Sequence, residues 1–255
     1  VKIVPFYIAD GGVFQYLLMS LETWKYLDYH KFVDKFWIFV NPDRPLSEIQ
    51  LSDLMELGIP VEIVISQHGK VKRNGMALIK NEYFAFKMLS ELSDTSDWIQ
   101  KIDVDMLVLN LDFVRFLGGD AEYVGESVSW RDFIADIPNS YFEGGTYFTR
   151  ARVWKDLVLD VDLIYSLDTK MRSEDAFFGY VMNKNRVEKK DCSRKMTRIF
   201  NHSEFHEEYP KCFDDVSFLH FSGGSRSRMR LAFNLIKILK DYLRHPLEQA
   251  TTNEL

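Results

Sequence analysis

Two cysteines in 255 residues, Cys192 and Cys212, leave no room for a disulfide framework or a cysteine-based metal centre. They fit a reducing compartment, with a single disulfide as the alternative. No run of about 18 apolar residues occurs, so no membrane span is expected. A signal-peptide pattern is missing too: Val1-Lys2-Ile3-Val4-Pro5 passes straight into a strand-like segment. A cytoplasmic location is the resulting expectation. The chain opens on Val rather than Met, and a piece of a larger protein is expected. Positive charge is outnumbered, 32 Lys and Arg against 38 Asp and Glu, for a formal net charge of -6. That argues against a general nucleic-acid surface and still permits a local basic patch against a phosphate. Internal repeats, low-complexity segments and long linkers are lacking.

What is present suits a soluble α/β protein. The length allows one large domain or two small ones. Hydrophobic residues make up 46% and charged residues 27%, both ordinary. Aromatics reach 15%, which suits a thick core and clefts that stack flat rings or sugar faces.

Taken in order, Lys2 to Ala9 reads as a strand stopped by Asp10-Gly11-Gly12, and Val13 to Leu27 carries helical spacing. Phe36 to Val40 is a second strand, ended by Asn41-Pro42-Asp43. A short helix over Ser47 to Leu57 has Ser at its N-cap and Gly58 at its end. Val61 to Ile65 is a third strand. Strands alternating with helices predict a parallel, doubly wound sheet, with ligands at the carboxyl ends of its strands. Asp10 and Asn41 fall at such ends. A polar loop carrying Lys72, Arg73 and Asn74 precedes a long helix over Met76 to Leu92. It is either an anion site at a helix N-terminus or a solvated basic loop.

The next strand is predicted over Trp98 to Leu109, and it contains Asp103 and Asp105. Residues two apart on a strand share a face. Two carboxylates there repel and lose hydration unless a cation lies between them. A hard divalent ion is one such partner. In the plainer alternative, one Asp caps a turn and the other is solvated.

Further on, Leu111 to Leu117 reads as a short helix and Tyr123 to Glu126 as a strand. Tyr141 to Thr149 reads as a strand with a Gly pair that marks close approach of a ligand or another backbone. Helices are predicted over Arg152 to Tyr165, from Ser173 to Met182, and from Met229 to Leu243. Glu174 and Asp175 open the second of these, where the helix dipole alone accounts for acids. His220 ends an apolar run and is followed by Gly223, Arg226 and Arg228. A lone His is usually structural, but these neighbours suit a diphosphate.

Taken together and in this order, the segments resemble the GT-A-fold glycosyltransferases that use nucleotide sugars. The resemblance covers about residues 2 to 228. It implies an α/β, Rossmann-like, mostly parallel central sheet with helices on both faces and a smaller acceptor-side sheet. One GT-A domain is expected over 1–255: a nucleotide-sugar half at 1–110, an acceptor half at 111–228, and a C-terminal helix and tail at 229–255. Ile102-Asp103-Val104-Asp105 resembles the family's Asp-x-Asp, with Asp103 and Asp105 toward Mn²⁺ or Mg²⁺ and Asp103 also toward the ribose. His220-x-x-Gly223-x-x-Arg226 is similar to the His-x-x-Gly-x-x-Lys of glycogenin-like transferases. There His is a metal ligand and Lys holds the diphosphate. This chain has Arg in place of Lys and lacks the Pro-Trp that commonly follows.

Donor contacts are implied for Asp10, Asn41, Arg73, Asp103, Gly223 and Arg226. Glu174, Asp175 and Glu143 are the implied catalytic carboxylates, as base in an inverting enzyme or as stabiliser or nucleophile in a retaining one. The His-x-x-Gly-x-x-Arg segment leans the expectation to retention. The loops 127–141 and 192–213 are expected to shape the acceptor site. The implied activity is metal-assisted sugar transfer from a UDP-sugar to a glycan or other hydroxyl. A sugar-nucleotide nucleotidyltransferase is the alternative enzyme, but it calls for a Lys-bearing Gly-rich loop after the first strand. Ala9-Asp10-Gly11-Gly12 has no Lys or Arg near it before Lys25. An inactive carbohydrate-binding domain is the non-enzymatic alternative.

Overall fold

A computed structural model of the chain describes residues 1–69, 76–126, 145–167, 174–192, 196–199, 216–221 and 225–244. Its first half is built from strand–helix repeats: β1 (Ile3–Ala9), α1 (Phe14–Trp24), β2 (Phe36–Val40), α2 (Glu48–Glu56), β3 (Val61–Ile65), α3 (Met76–Leu92) and β4 (Trp98–Ile102). The remaining elements are β5 (Met106–Val108), a 3-10 turn (Asp112–Phe116), β6 (Tyr123–Gly125), β7 (Thr146–Arg150), α4 (Ala151–Asp156), α5 (Val161–Leu167) and α6 (Glu174–Lys184). Strands β8 (Lys189–Asp191), β9 (Thr197–Ile199) and β10 (Phe218–His220) and helix α7 (Arg226–Arg244) complete them.

Seven strands form the central sheet in the order β3-β2-β1-β4-β7-β6-β8. The first four are mutually parallel, and β7 runs antiparallel to both β4 and β6. Each strand feeds residues to two cores by its period of two. On one face Tyr7, Trp98 and Ile102 pack with Leu17, Leu21 and Trp24 of α1. On the other, Phe6 and Ile99 pack with Phe86 and Leu89 of α3, and Phe86 stacks on Trp154 of α4 at 4.3 Å. Helices therefore cover both faces, as expected for a doubly wound sheet. The start of α2 is a capping box: Ser47 Oγ accepts from the Gln50 amide, and the Gln50 side chain accepts from the Ser47 amide. Gly58 follows at φ 70°, the left-handed conformation that glycine reaches without steric penalty.

Two of the predicted elements are divided. Trp98 to Leu109 is not one strand: β4 stops at Ile102, a turn holds Val104 and Asp105, and β5 joins a second, three-stranded sheet of order β5-β10-β9. Both pieces are fully buried and carry apolar residues on either side of the aspartates, so hydrophobicity alone does not reveal the break. Arg152 to Tyr165 is not one helix either. Lys87 Nζ donates to the carbonyls of Trp154 and Lys155 at 2.7 and 2.9 Å, which occupies oxygens at the end of α4. The Tyr83 hydroxyl then donates to Leu157 O and accepts from Leu159 N, holding the chain out of helix. Asp160 restarts it by accepting from Leu163 N at 2.9 Å.

The two sheets are joined by a side chain. Glu126, at the end of β6, is buried and accepts from the Met196 and Thr197 amides at 2.6 and 3.2 Å. Helix α7 covers the small sheet with Met229, Ala232, Phe233 and Ile236. Among the described residues no helix is long and apolar enough to cross a membrane.

Candidate active site

The carboxyl ends of β1, β2 and β4 lie side by side, and each carries polar residues. Asp10 and Asn41 are used locally. Asp10 Oδ1 accepts from the Gly12 amide at 2.6 Å and Oδ2 lies 3.4 Å from Arg44, while Asn41 Oδ1 accepts from the Asp43 amide at 3.0 Å. Both are side chain–backbone turns of the Asx kind.

After β4 the arrangement differs. The Asp103 amide donates to Gly145 O at 2.8 Å, extending the β4–β7 ladder by one residue before the turn. Strand β5 pairs antiparallel with β10, and that register sets His220 opposite Met106. The Phe221 amide donates to Asp105 O at 2.9 Å, so the end of β10 runs beside Asp105. His220 Nε2 consequently sits 3.4 Å from Asp105 Oδ1 and 3.7 Å from Asp103 Oδ2. Gly145 makes room for the ring: a Cβ there would fall 2.6 Å from His220 Nδ1. The close approach at Gly145 is thus made by a side chain, not by the ligand or backbone expected there, and Gly144 lies outside the described residues.

One ligand atom from each of Asp103, Asp105 and His220 lies within 4.8 Å of the others. With metal–oxygen bonds of about 2 to 2.6 Å, two ligands of one ion are at most about 4 to 5.2 Å apart. Asp105 Oδ1 is buried with no hydrogen-bond partner among the described residues, although a buried carboxylate oxygen needs one. Two carboxylates and one imidazole converging on such an atom fit a hard divalent cation such as Mn²⁺ or Mg²⁺.

Cations hold the outer oxygens. Arg226 Nε, at the start of α7, donates to Asp105 Oδ2 at 2.6 Å. Lys101 Nζ lies 2.6 Å from Asp103 Oδ1 and 3.6 Å from Glu82 Oε1. Burial pushes the Asp103 carboxyl up to about 6 against the pull of Lys101, and the Asp105 charge adds to the rise. Burial pushes Asp105 upward too, but His220 and Arg226 outweigh it and hold it below its ordinary value. For Lys101 the desolvation that favours the neutral amine is outweighed by Asp103 and Glu82, so the ammonium is held well above its usual range. Glu82 is driven to about 8 by burial, which together with the longer distance makes it the weaker partner of Lys101. Removing one member of such a buried pair costs about 3–5 kcal/mol.

Glu174 and Asp175 open α6, and their charges reach the same site. Burial, then repulsion from Glu174, pushes Asp175 well above the usual carboxylate range, with Lys101, Asp103 and Glu82 all bearing on it. Asp175 Oδ1 is a second buried oxygen with no hydrogen-bond partner among the described residues. Arg73, Glu143 and Gly223 lie outside the described residues.

No protein-family profile matches the sequence, and neither does any curated protein. Solved structures do match. The galactosyltransferase LgtC, in complex with donor and acceptor sugar analogues, shares 14% identity over 92% of this chain and 95% of its own, with a TM-score of 0.59. Mouse xyloside xylosyltransferase 1 shares 10% over 88% and 99%, with a TM-score of 0.56. The glycosyltransferase GlyE of Streptococcus pneumoniae TIGR4 shares 10% over 94% of this chain and 63% of its own, with a TM-score of 0.61. The chain has the GT-A fold.

Within this GT-A fold, the sequence reading named Asp103, Asp105, His220 and Arg226, and all four meet. It passed over Lys101 and Glu82. Their signal lay in phase: Lys101 shares its β4 face with Ile99, and Glu82 falls on the α3 stripe of Ile79, Phe86 and Leu89. A charge in phase with a buried face requires a buried partner.

Proposed function

We propose that this chain is a metal-dependent glycosyltransferase that moves a sugar from a nucleoside-diphosphate donor, a UDP-sugar, to a hydroxyl of a glycan or other acceptor. The observation that carries the reading is the convergence of Asp103, Asp105 and His220, around a buried carboxylate oxygen that takes no hydrogen bond from the described residues, at the carboxyl end of a GT-A sheet. When bound there, Mn²⁺ or Mg²⁺ would offset the negative charge that develops on a departing diphosphate.

Around that position the chain's own groups take distinct roles. Arg226 supplies positive charge to the diphosphate, and Arg73 and Gly223, from two separate segments outside the described residues, are assigned to the same group. The turns built by Asp10 and Asn41 shape the donor side, at the ends of β1 and β2. Asp175, with its carboxyl pushed well up, and Glu174 face the acceptor side. A raised carboxyl pKa suits proton transfer near neutral pH. In a retaining route these groups, with Glu143, stabilise the positive charge on the sugar; retention is our reading because of the His-x-x-Gly-x-x-Arg segment. Residues 1–110 form the donor half, 111–228 the acceptor half, and 229–255 the C-terminal helix and tail.

A donor-hydrolysis screen tests this reading. UDP-, GDP- and dTDP-sugars are each incubated with Mn²⁺, Mg²⁺ or chelator, on wild type and on Asp105→Asn. Release of UDP from one sugar, abolished by chelator and by the substitution, is expected. No release from any donor, together with no metal-dependent nucleotide binding in calorimetry, overturns it. The anomeric configuration of the released sugar, read by NMR, decides retention against inversion.

A further inference from the structure

The two aspartates are held in opposite ways. Asp103 is 32% exposed, and its Oδ1 is held at 2.6 Å by a lysine that is only 3% exposed. Asp105 is 3% exposed, and its Oδ2 is held at 2.6 Å by an arginine that is 41% exposed. Each aspartate thus gives one oxygen to a cation and turns the other toward His220 Nε2.

Packing decides which carboxylate depends on its cation. Asp105 is enclosed, its backbone carbonyl accepts from Phe221, and its orientation is set by burial. Arg226 can therefore leave it without releasing it. Asp103 is the more exposed of the two carboxylates, at 32% against 3%. Lys101, in contrast, cannot move away. It projects from the central strand β4 onto the α3 face, where the fully buried Glu82 backs it. Glu82 is itself held by the Tyr147 hydroxyl at 3.3 Å, from the neighbouring strand β7.

Building on the glycosyltransferase reading, we propose that Lys101 is the positioning residue of the metal site. It fixes Asp103 Oδ1 so that Oδ2 alone faces the cation, while Arg226 remains exchangeable and passes from Asp105 to the diphosphate. The buried Lys101–Glu82 pair is then a permanent support, and Arg226 a transient one.

The test is a double-mutant cycle on metal affinity, with Mn²⁺ alone titrated into the whole chain by calorimetry. Four proteins are compared: wild type, Lys101→Met, Asp103→Asn and the double substitution. Loss of a group that orients a metal ligand weakens affinity by about 10- to 100-fold, and Lys101→Met is expected to do so. In the Asp103→Asn background the same change is expected to cause no loss, and to tighten binding by up to about 3- to 10-fold, because nothing remains for Lys101 to orient and only its repulsion of the cation is removed. Equal losses in both backgrounds, or no loss from Lys101→Met, overturn the proposal while leaving the metal site standing. A wild type that binds no Mn²⁺ overturns this proposal, and the donor-hydrolysis screen then decides the glycosyltransferase reading separately. If Lys101→Met does not fold by circular dichroism, Lys101→Met/Glu82→Gln takes its place in the cycle. That pair removes the buried counter-charge with the ammonium, and the same pattern is expected.

Discussion

Asp10 and Asn41 stand at the same address as Asp103 and Asp105, the carboxyl end of a parallel strand, yet their chemistry differs. At the ends of β1 and β2 the side-chain oxygens are taken up by amides two residues on, Gly12 and Asp43. At the end of β4 the carboxylates close no such turn. They face Lys101, Arg226 and His220, and among the described residues Asp105 Oδ1 is buried with only His220 Nε2 near it, at 3.4 Å. A polar residue at a strand end is therefore not a site by position alone. It becomes one where the turn does not use up its oxygens and a distant strand brings a complementary group.

That contrast can be broken by substitution. The largest effect is expected at Asp105: Asp105→Asn should lower donor turnover by about 10³-fold or more, the scale of losing a group that stabilises transition-state charge. Asp10→Asn, whose amide oxygen can still accept from Gly12, should change turnover by less than about tenfold. Parallel kinetics on the two variants check this, and comparable losses would erase the distinction between the two addresses.

Gly145→Ala comes next. Its Cβ would lie 2.6 Å from the imidazole and must displace it, so Mn²⁺ affinity should fall by about 10- to 100-fold. The melting temperature should fall as well, by the equivalent of about 1–3 kcal/mol for overpacking. Unchanged affinity in titrations would mean that His220 is not part of the metal site.

Arg226→Gln separates two effects with opposite signs. Removing a cation beside Asp105 should tighten Mn²⁺ binding by about 3- to 10-fold when no nucleotide is present. The same change should weaken UDP binding in the presence of Mn²⁺ by a similar or larger factor. If both affinities move the same way, Arg226 does not exchange between the two.

The smallest effects are expected away from the Asp103, Asp105 and His220 cluster. Asp10→Ala removes the Gly12 contact and should cost about 1 kcal/mol of stability in denaturant unfolding, with Mn²⁺ affinity unchanged. Burial, then the charges of Glu126 and Asp191, push the Cys192 thiol up to about 12. In a Cys212→Ser variant that thiol should react with Ellman's reagent far more slowly at pH 7.5 than after unfolding.

The local elements were legible where one signal acted alone. Phe36–Val40, Val61–Ile65 and Met76–Leu92 have the bounds expected, because each is a mainly apolar period bounded on one side by Asn, Pro or Gly, at Asn41, Pro60 and Gly75. The N-cap at Ser47 followed from a single residue type. Errors arose where tertiary partners intervened. Lys87 and Tyr83 interrupt the helix predicted over Arg152–Tyr165 by binding carbonyls that a continuing helix would need. The Trp98–Leu109 run splits because its second part is claimed by β10, far along the chain. Strands β8 and β9, of three residues each, carry no periodic signal of their own.

By itself the sequence determined the parallel first half, the Asp-x-Asp motif and the candidate His and Arg, since these depend on local periodicity and on residue type. Tertiary structure decided what those residues do. The β5–β10 register brings His220 to Asp105, the space at Gly145 admits its ring, and the face of β4 sends Lys101 to Glu82 and Asp103. The physical reason is that a charge is set by what is buried with it. Those neighbours come from strands and helices that only the folded sheet brings together.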